Sequence, residues 1–421
     1  MKRPLLTLAS AILAVIALNA QDARTLILED YTRMGANYHV YEPGAGELTA
    51  APQGYEPFYI SHYGRHGSRY ITFETSHKYV ISHLKALRDA GLLNEWGDEL
   101  LATVSETYAA SRKRLGRLSP LGVQEHRQIA ARMYERFPGV FAPGTKIDAV
   151  SSTSRRCKTS MVQFLAALSE KESSLDLNID TSPANMNYIN NKGGEPHKAE
   201  IKALMDSIMK ATLNPEAIIG PVTTDCKAAM KLLHHPEKFE RLFYDCAAIC
   251  QCMPEGYDLL PFIPFEEGFK LWSVKNKQQY FYHAASVPFG SERVKASRPL
   301  AEDFVYKADA AIKEGKPAAD LRFGHDSGLI AFQSYVGIEG FDKQLALNET
   351  DEWQNFRLMC MASNIQFIFY RNTAGKILVQ VLQNEKEVSV PALGPGPFYP
   401  WEELRTQILE GQDFLRSVRR R

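Results

Sequence analysis

Three segments far apart in the chain are each predicted to form a strand that ends in a polar loop and is followed by a helix. They lie at residues 58–75, 146–165 and 319–336. In an open α/β sheet, the loops at the carboxyl ends of the strands gather in one crevice. The pattern therefore predicts an α/β fold in which polar side chains from all three loops meet at one edge of the sheet.

The first loop combines two arginines with a histidine, because Arg65 and Arg69 lie on either side of His66. Arginine offers a planar fork of donors that matches phosphate oxygens. A neutral imidazole can act as a nucleophile at phosphorus, and Gly64 and Gly67 let the backbone approach a ligand closely. The loop predicts an anion-binding site with a nucleophile inside it, against the simpler alternative of a polar surface loop.

The second loop opens a helix that has arginines in its first turn. A strand predicted from Lys146 to Ser152 runs into a Ser/Thr-rich turn that carries Arg155 and Arg156. The free N–H groups of a helix N-terminus, together with an arginine in the first turn, form a natural phosphate contact. The alternative is an ordinary N-capped helix whose arginines lie at the surface.

The third loop carries His325-Asp326 between a short strand and a helix that Gly337 is predicted to end. Taken alone, Asp326 at a helix start is more often an N-cap, and His325 could be a hydrogen-bonded histidine of the core. His62, on the strand before the first loop, is interpreted as packing. A catalytic interpretation of His325 and Asp326 therefore depends on the agreement of all three loops.

The three loops resemble the motifs of one known family. Arg65-His66-Gly67-Ser68-Arg69-Tyr70 resembles the Arg-His-Gly-x-Arg signature of the histidine acid phosphatases, the branch of the histidine phosphatase superfamily that holds the phytases. Arg156, four residues before Ser160, fits the family's second arginine motif, with Arg155 as the second choice, and His325-Asp326 matches its His-Asp motif. The resemblance implies a phosphoglycerate-mutase-like α/β domain with a central mixed, mainly parallel sheet flanked by helices, plus an inserted, mostly helical cap domain.

The resemblance also implies that phosphomonoester hydrolysis passes through a phosphohistidine. The catalytic residues are then His66, the nucleophile, and Asp326, which gives a proton to the leaving group and afterwards activates water. The phosphate oxygens are bound by Arg65, Arg69, Arg156 and His325. This chemistry needs no metal and no cofactor.

The predicted substrate comes from further stretches that resemble multiple inositol polyphosphate phosphatases. Leu378–Val388 and the pair Arg156-Cys157 are similar to that group, and Tyr55–Tyr70 is similar to its bacterial members. That branch usually carries His-Ala-Glu as its donor motif, whereas this chain has His325-Asp326-Ser327. We expect a small polyanionic phosphate ester, an inositol polyphosphate such as phytate. The alternatives are a general or sugar-phosphate acid phosphatase with the same mechanism, and a phosphate-binding protein without turnover.

The chain is predicted to contain a cap inserted into a catalytic domain, because helical runs alternate with Gly/Pro breaks in its middle third. The predicted parts are a signal peptide (1–20), the α/β catalytic domain (21–174 and 300–421) and the mostly helical cap (175–299). Within the catalytic domain, residues 21–57 are predicted to be irregular, and a last helix is predicted from Trp401 to Val418. Caps of this kind commonly form one wall of a ligand pocket.

The N-terminus predicts export. Lys2 and Arg3 precede an apolar run from Leu5 to Leu18, and the small residue Ala20 is followed by polar sequence that starts at Gln21. The run is too short for a spanning helix and no cysteine follows it, so we expect a secreted or periplasmic protein without a membrane anchor. Lys+Arg and Asp+Glu both number 49, which argues against a nucleic-acid or membrane-surface partner.

The six cysteines of the chain fit an oxidising compartment. Cys246, Cys250 and Cys252 lie close enough in sequence to pair with Cys226 or with each other, although connectivity does not follow from sequence. Disulfides and buried thiols both fit. A zinc site fits less well, because the close His-Cys spacing of such sites is missing.

Overall fold

The computed structural model describes residues 22–44, 46–191, 193, 195–287 and 289–416. Its centre is an eight-stranded sheet. The strands are β1 (Tyr55–Arg65), β2 (Lys146–Ser151), β3 (Asp176–Asp180), β4 (Ala319–Gly324), β5 (Asn364–Asn372), β6 (Ile377–Gln383), β7 (Lys386–Glu387) and β8 (Phe398–Pro400). The predicted signal peptide, residues 1–20, lies outside the described residues.

Helices flank the sheet and fill the long connections between its strands. They are α1 (Ala23–Glu29), α2 (Thr75–Asp89), α3 (Glu95–Ser111), α4 (Pro120–Arg136), α5 (Arg155–Lys171), α6 (Met186–Ile189), α7 (Lys198–Thr212), α8 (Glu216–Ile219), α9 (Cys226–Leu233), α10 (Pro236–Cys250), α11 (Phe265–His283), α12 (Gly290–Lys295), α13 (Arg298–Glu314), α14 (Asp326–Val336), α15 (Asn355–Leu358), α16 (Trp401–Glu410) and α17 (Asp413–Arg416). Turns of 3-10 helix lie at Tyr31–Tyr38, Pro183–Asn185, Leu260–Phe262, Thr350–Trp353 and Pro391–Leu393. Among the residues described, no helix combines the length and apolarity that a membrane span requires.

The central strand β1 separates two hydrophobic cores. The strand order is β3-β2-β4-β1-β5-β6-β7, with β8 paired to β6. Successive side chains of a strand point to opposite faces. Tyr59 and Tyr63 accordingly pack with Phe304 of α13 and Phe332 of α14, whereas Ile60 belongs to the core beneath α4 and α5. Both faces of the sheet are therefore covered.

The pairing pattern confirms the predicted fold class. Strands β3, β2, β4 and β1 run parallel, and β5 to β8 join them through antiparallel pairs. The molecule thus has the expected α/β fold, with a central mixed sheet flanked by helices, and the four strands of its parallel part include the three that lead into the predicted loops.

The register of the parallel strands brings the three loops together. Arg65, the last residue of β1, is paired with Gly324, the last residue of β4. Ser151, the last residue of β2, is paired with Phe323 of β4. The three strands therefore end at one level, and the residues that follow them start from the same edge of the sheet.

Local sequence signals set the ends of several elements, and Gly337 ends its helix as predicted. The Ser119 side chain caps α4 by accepting a hydrogen bond from the Gly122 N–H at 3.2 Å, with a proline at the first helical turn. Gly337 ends α14 with φ 84°, a conformation that glycine adopts easily. The β5–β6 hairpin turns at Gly375, which has φ 77°.

Two predictions at the ends of the chain are wrong. Residues 21–57, expected to be irregular, contain α1 and the 3-10 helix Tyr31–Tyr38. The last helix was expected to run from Trp401 to Val418, but α16 stops at Glu410 because Gly411 takes φ 70°, and the short α17 follows. Residues 417–421 lie outside the described residues.

The segment between β3 and β4 is mostly helical. It runs from α6 to α13, and its aromatic residues Trp272 and Tyr280 are buried. Strand β3 lies within the predicted cap range 175–299, yet it pairs with β2 in the main sheet. The helical part of the insertion therefore begins after residue 180. The division into a catalytic domain and a cap remains a prediction.

The cysteines are thiols rather than disulfides in this structure. All except the half-buried Cys226 are buried. Cys246 and Cys250 lie one turn apart on α10, where the Cys250 thiol donates to the Cys246 carbonyl at 3.1 Å instead of meeting another sulfur. Of the two alternatives left open by the sequence, the structure has buried thiols.

Several histidines of the described residues are buried in the protein interior. His77, on α2, stacks on Tyr108 at 5.9 Å between ring centroids, and neither of its ring nitrogens has a partner. Burial lowers the pKa of His77 to about 4. Burial likewise lowers the pKa values of His62 and His126 to about 3. A histidine of this kind binds a proton more readily in the unfolded chain, so it withdraws stability as the pH falls below about 6.5.

We predict that His77→Phe reduces the loss of stability in acid. Phenylalanine fills the same site and has no charged form, so between pH 7 and pH 4.5 the variant should lose about 2 kcal/mol less unfolding free energy than the parent. Urea unfolding at the two pH values measures the difference. His235→Phe is the control, because the His235 side chain is 72% exposed. Parallel pH dependence of His77→Phe and the parent would contradict the prediction.

Candidate active site

The loop after β1 holds His66 in one tautomer. Its Nδ1 lies 2.9 Å from the Gly67 carbonyl oxygen. A carbonyl oxygen only accepts hydrogen bonds, so Nδ1 must donate, and the lone pair is left on Nε2. The side chain is buried, and burial followed by Arg65, Arg156 and Arg69 holds the pKa of His66 well below its ordinary value. His66 is therefore a neutral imidazole with a free nucleophilic nitrogen.

A buried glutamate on α4 anchors this loop. Glu125 accepts hydrogen bonds from the Ser68 N–H at 2.6 Å, the Ser68 hydroxyl at 2.7 Å and the Tyr41 N–H at 3.2 Å. The loop also touches α4 directly, since a Cβ at Gly67 would lie 2.6 Å from the Gly122 carbonyl oxygen. Contacts with α4 thus hold the loop backbone in place before any ligand binds.

The guanidinium of Arg65 is buried and directed by backbone carbonyls. Its Nη1 donates to the carbonyl oxygens of Asn37, Met359 and Cys360 at 2.6, 2.8 and 3.0 Å. Its Nη2 lies 3.2 Å from Asp326 Oδ2. A cation from the first loop therefore lies against the carboxylate of the third.

The second and third loops meet at His325. Arg156 Nη2 lies 3.3 Å from His325 Nδ1, and Ser152 Oγ lies 3.0 Å from His325 Nε2. A guanidinium only donates, so Nδ1 accepts from Arg156 and Nε2 carries the proton. Burial and then Arg156 lower the pKa of His325 to about 4, which keeps the ring neutral. The rings of His325 and His66 are 5.7 Å apart between centroids.

Arg69 is the third arginine whose positive charge acts on His66. It is largely buried, its Nη1 donates to the Tyr70 carbonyl at 3.1 Å, and its guanidinium lies 5.3 Å from the centre of the Tyr38 ring. Arg69 also lowers the pKa values of His66 and Arg156, as expected of cations that face one space. The neutral chain thus concentrates three guanidinium groups around one imidazole.

Asp326 is the first residue of α14, and its carboxylate accepts several hydrogen bonds. Its Oδ2 receives Asn37 Nδ2 at 2.8 Å and Gln279 Nε2 at 3.1 Å, besides the Arg65 guanidinium. Its Oδ1 accepts from the Ser327 N–H at 2.9 Å. Burial would raise the pKa of Asp326, but Arg65, His283 and the Asn37 bond outweigh burial and hold it below the ordinary value.

The structure brings all six predicted site residues to one place: Arg65, His66, Arg69, Arg156, His325 and Asp326. Arg155 is exposed, whereas Arg156 reaches His325. His62 is buried against Phe164 and Phe323, where packing was expected. The catalytic and binding roles of the six residues remain predictions.

Sequence reasoning missed four side chains that support the site: Asn37, Glu125, Ser152 and Gln279. A signal existed for Ser152, which lies in the Ser/Thr-rich turn before Arg156. Glu125 lies on α4, Asn37 lies in the N-terminal segment that was expected to be irregular, and Gln279 lies in the insertion. No local pattern marks such positions, because their partners are distant in sequence.

Comparisons with known proteins agree with the motifs. Residues 64–214 match the model of the histidine phosphatase superfamily (branch 2). No curated protein sequence matches the chain. The fold resembles that of the Bifidobacterium longum multiple inositol polyphosphate phosphatase in complex with inositol hexasulfate, with 18% identity, a TM-score of 0.75 and coverage of 91% of this chain and 99% of that one.

Two phytases of known structure are also similar. The phytase from D. castellii has 13% identity and a TM-score of 0.66, covering 91% of this chain and 87% of its own. The Hafnia alvei phytase in complex with tartrate has 12% identity and a TM-score of 0.54, covering 86% and 98%. The predicted resemblance is confirmed, and the family match together with the fold supports the predicted enzyme class, a histidine acid phosphatase.

We predict that Glu125→Leu destabilises the protein and weakens phosphate binding. The change leaves the buried Ser68 and Tyr41 N–H groups without an acceptor, and each unsatisfied buried donor costs about 1–3 kcal/mol. Glu125→Gln is the matched variant, because it keeps one acceptor oxygen and should lose less. Denaturant unfolding and inhibition by inorganic phosphate measure the two effects. Equal stability of the two variants would contradict this account of the anchor.

Proposed function

We propose that the protein is an exported phosphomonoesterase that hydrolyses an inositol polyphosphate such as phytate through a phosphohistidine intermediate. One observation carries the proposal: His66 Nε2 is left unprotonated by the Gly67 bond and lies among Arg65, Arg69 and Arg156. A nucleophile surrounded by cations suits attack on a phosphate dianion, whose charge would otherwise repel the nucleophile.

In the first step, His66 Nε2 forms a bond to phosphorus as the bond between phosphorus and the ester oxygen breaks. The leaving alkoxide takes the proton of Asp326. Because Arg65 lowers the pKa of Asp326, this proton must arrive with the substrate, whose phosphate charge offsets the guanidinium. Arg65, Arg69 and Arg156 bind the remaining phosphate oxygens, and His325 joins them when its Nε2–H leaves Ser152 Oγ for the phosphate.

In the second step, water hydrolyses the phosphohistidine. The Asp326 carboxylate accepts a proton from the water as its oxygen bonds to phosphorus, and the bond between phosphorus and Nε2 breaks. Inorganic phosphate leaves and His66 returns to its neutral form. Every atom in the cycle comes from substrate, water and these side chains.

The proposed substrate is supported by the kind of protein that shares this fold. The Bifidobacterium longum structures were solved with phosphate and with inositol hexasulfate, and the D. castellii and Hafnia alvei structures are phytases. The tail Leu378–Val388 and the Arg156-Cys157 pair add the sequence resemblance to that group. We also propose that residues 175–299 act as a cap on the pocket and that the N-terminal segment directs export.

We predict that His66→Ala abolishes phosphate release from phytate, because the nucleophile is lost. His83→Ala, a change outside the site, should retain the parent rate. Release of inorganic phosphate is measured with purified proteins, and acid-labile phosphate bound to the parent is sought by rapid quenching. Equal rates for His66→Ala and the parent would contradict the mechanism. If the protein hydrolyses p-nitrophenyl phosphate but not phytate, the proposed substrate is wrong while the mechanism stands, and the protein is a general acid phosphatase.

We predict that Asp326→Asn separates substrates by their leaving groups. A poor alkoxide leaving group needs the proton, so the rate with phytate should fall by about 10²–10⁴. A p-nitrophenolate group leaves without it, so a stopped-flow burst of p-nitrophenolate should persist, followed by slow turnover. Loss of the burst together with phytate activity would argue against Asp326 as the proton donor.

A further inference from the structure

A chain of hydrogen bonds leads from the interior of the insertion to Asp326. The Trp272 indole N–H on α11 donates to Asn355 Oδ1 at 3.2 Å. Asn355 Nδ2 donates to Gln279 Oε1 at 3.0 Å, and Gln279 Nε2 donates to Asp326 Oδ2 at 3.1 Å. Trp272 and Asn355 are fully buried and Gln279 is 7% exposed, so water does not compete for these groups.

The direction of this chain is fixed at its far end. An indole can only donate a hydrogen bond, so the Asn355 oxygen must face Trp272 and its amide nitrogen must face Gln279. The Gln279 oxygen then faces Asn355, which leaves its N–H for Asp326. A second constraint holds Asn355 in place, because its backbone N–H donates to Asn276 Oδ1 at 3.0 Å.

The two oxygens of Asp326 consequently differ. Oδ2 meets Gln279, Asn37 and the Arg65 guanidinium, more donors than its two lone pairs can fully serve. Among the described residues, Oδ1 accepts from the Ser327 N–H. A proton on the carboxyl group therefore belongs on Oδ1.

The position of Asn37 shows that the backbone accepts strain at this point. Ala36, directly before it, has φ 55° and ψ −129°, a conformation that L-residues other than glycine rarely adopt. The kink lets the Asn37 carbonyl reach Arg65 while its side chain reaches Asp326. Asn37 and Gln279 thus approach the same carboxylate oxygen from two separate segments.

We propose that Trp272, Asn355 and Gln279 are positioning residues, an oriented amide relay that presents an N–H to Oδ2 of Asp326 and so assigns the transferred proton to Oδ1. The proposal rests on the proposed function for the role of Asp326 as proton donor. It adds that the insertion, through α11, sets the geometry and acidity of that donor.

The groups that face Asp326 from other elements stay constant in the test. Burial, Arg65, His283, Asn37 and His325 act on the pKa of Asp326, and charge interactions also link it to Arg156, Tyr63 and Cys157. The relay variants below alter none of these groups. A shift of the Asp326 titration in such a variant is therefore caused by the relay.

The test compares Gln279→Met and Trp272→Phe with the parent. Gln279→Met removes the final N–H at nearly constant size. Trp272→Phe keeps an aromatic ring among Phe269 and Phe356 and removes the indole N–H, so Asn355 and Gln279 become free to reverse. Gln407→Met is the matched control, because Gln407 is 6% exposed and bonded to the Val336 carbonyl, outside the site.

The readout is the titration of the Asp326 carboxyl group, followed by infrared difference spectroscopy with saturating inorganic phosphate and assigned with Asp326→Asn. We expect the midpoint to rise by about one pH unit in Gln279→Met, because a hydrogen bond to the anion is lost. Trp272→Phe should shift it less in the same direction, and Gln407→Met should match the parent. The alkaline limb of kcat for phytate should move with the midpoint.

Unshifted midpoints in the two relay variants would overturn the proposal, and if Gln279→Met does not fold, Trp272→Phe decides alone. The infrared readout needs no turnover. If the relay variants show shifted midpoints but the parent protein releases no phosphate, the proposed function is refuted and the relay is supported. Normal turnover with unshifted midpoints would refute the relay and leave the function intact.

Discussion

The buried guanidinium of Arg65 holds the site together. A cation withdrawn from water is expensive unless its donors are satisfied. Here three carbonyl oxygens accept hydrogen bonds from Nη1 and the Asp326 carboxylate lies against Nη2, whereas Nε has no partner among the described residues. These partners come from the N-terminal 3-10 helix, the turn before β5 and the start of α14. One charge on the end of the central strand thus ties together the segments that surround the nucleophile.

The sequence was sufficient for the parts of the site that depend on short-range pattern. Strand, loop and helix follow one another at each motif, and parallel pairing of β1, β4 and β2 brings the motifs to one level. It was not sufficient for partners that depend on how distant segments pack. Gln279 reaches Asp326 only because α11 crosses the site, and nothing in the residues around position 279 indicates that crossing. The N-terminal segment was predicted to be irregular for a related reason, since its 3-10 helix is stabilised by contacts with α10 and α11.

Burial and neighbouring charges together set the pKa values of the site residues. Burial and the neighbouring arginines both lower the pKa values of His66 and His325, which keeps the two rings neutral. At Asp326 burial and charge oppose each other, and Arg65 favours the anion against burial. The overall charge of the chain is zero, so this pattern arises from local placement and not from a basic surface.

The way the insertion joins the sheet has a consequence for changes in its length. The helical segment departs after β3, a strand at the sheet's outer border, and comes back into β4, so its length can change without interrupting any strand pairing. For the proposed proton transfer, a shortened or rebuilt segment must still bring an amide donor to Asp326 Oδ2, as Gln279 does.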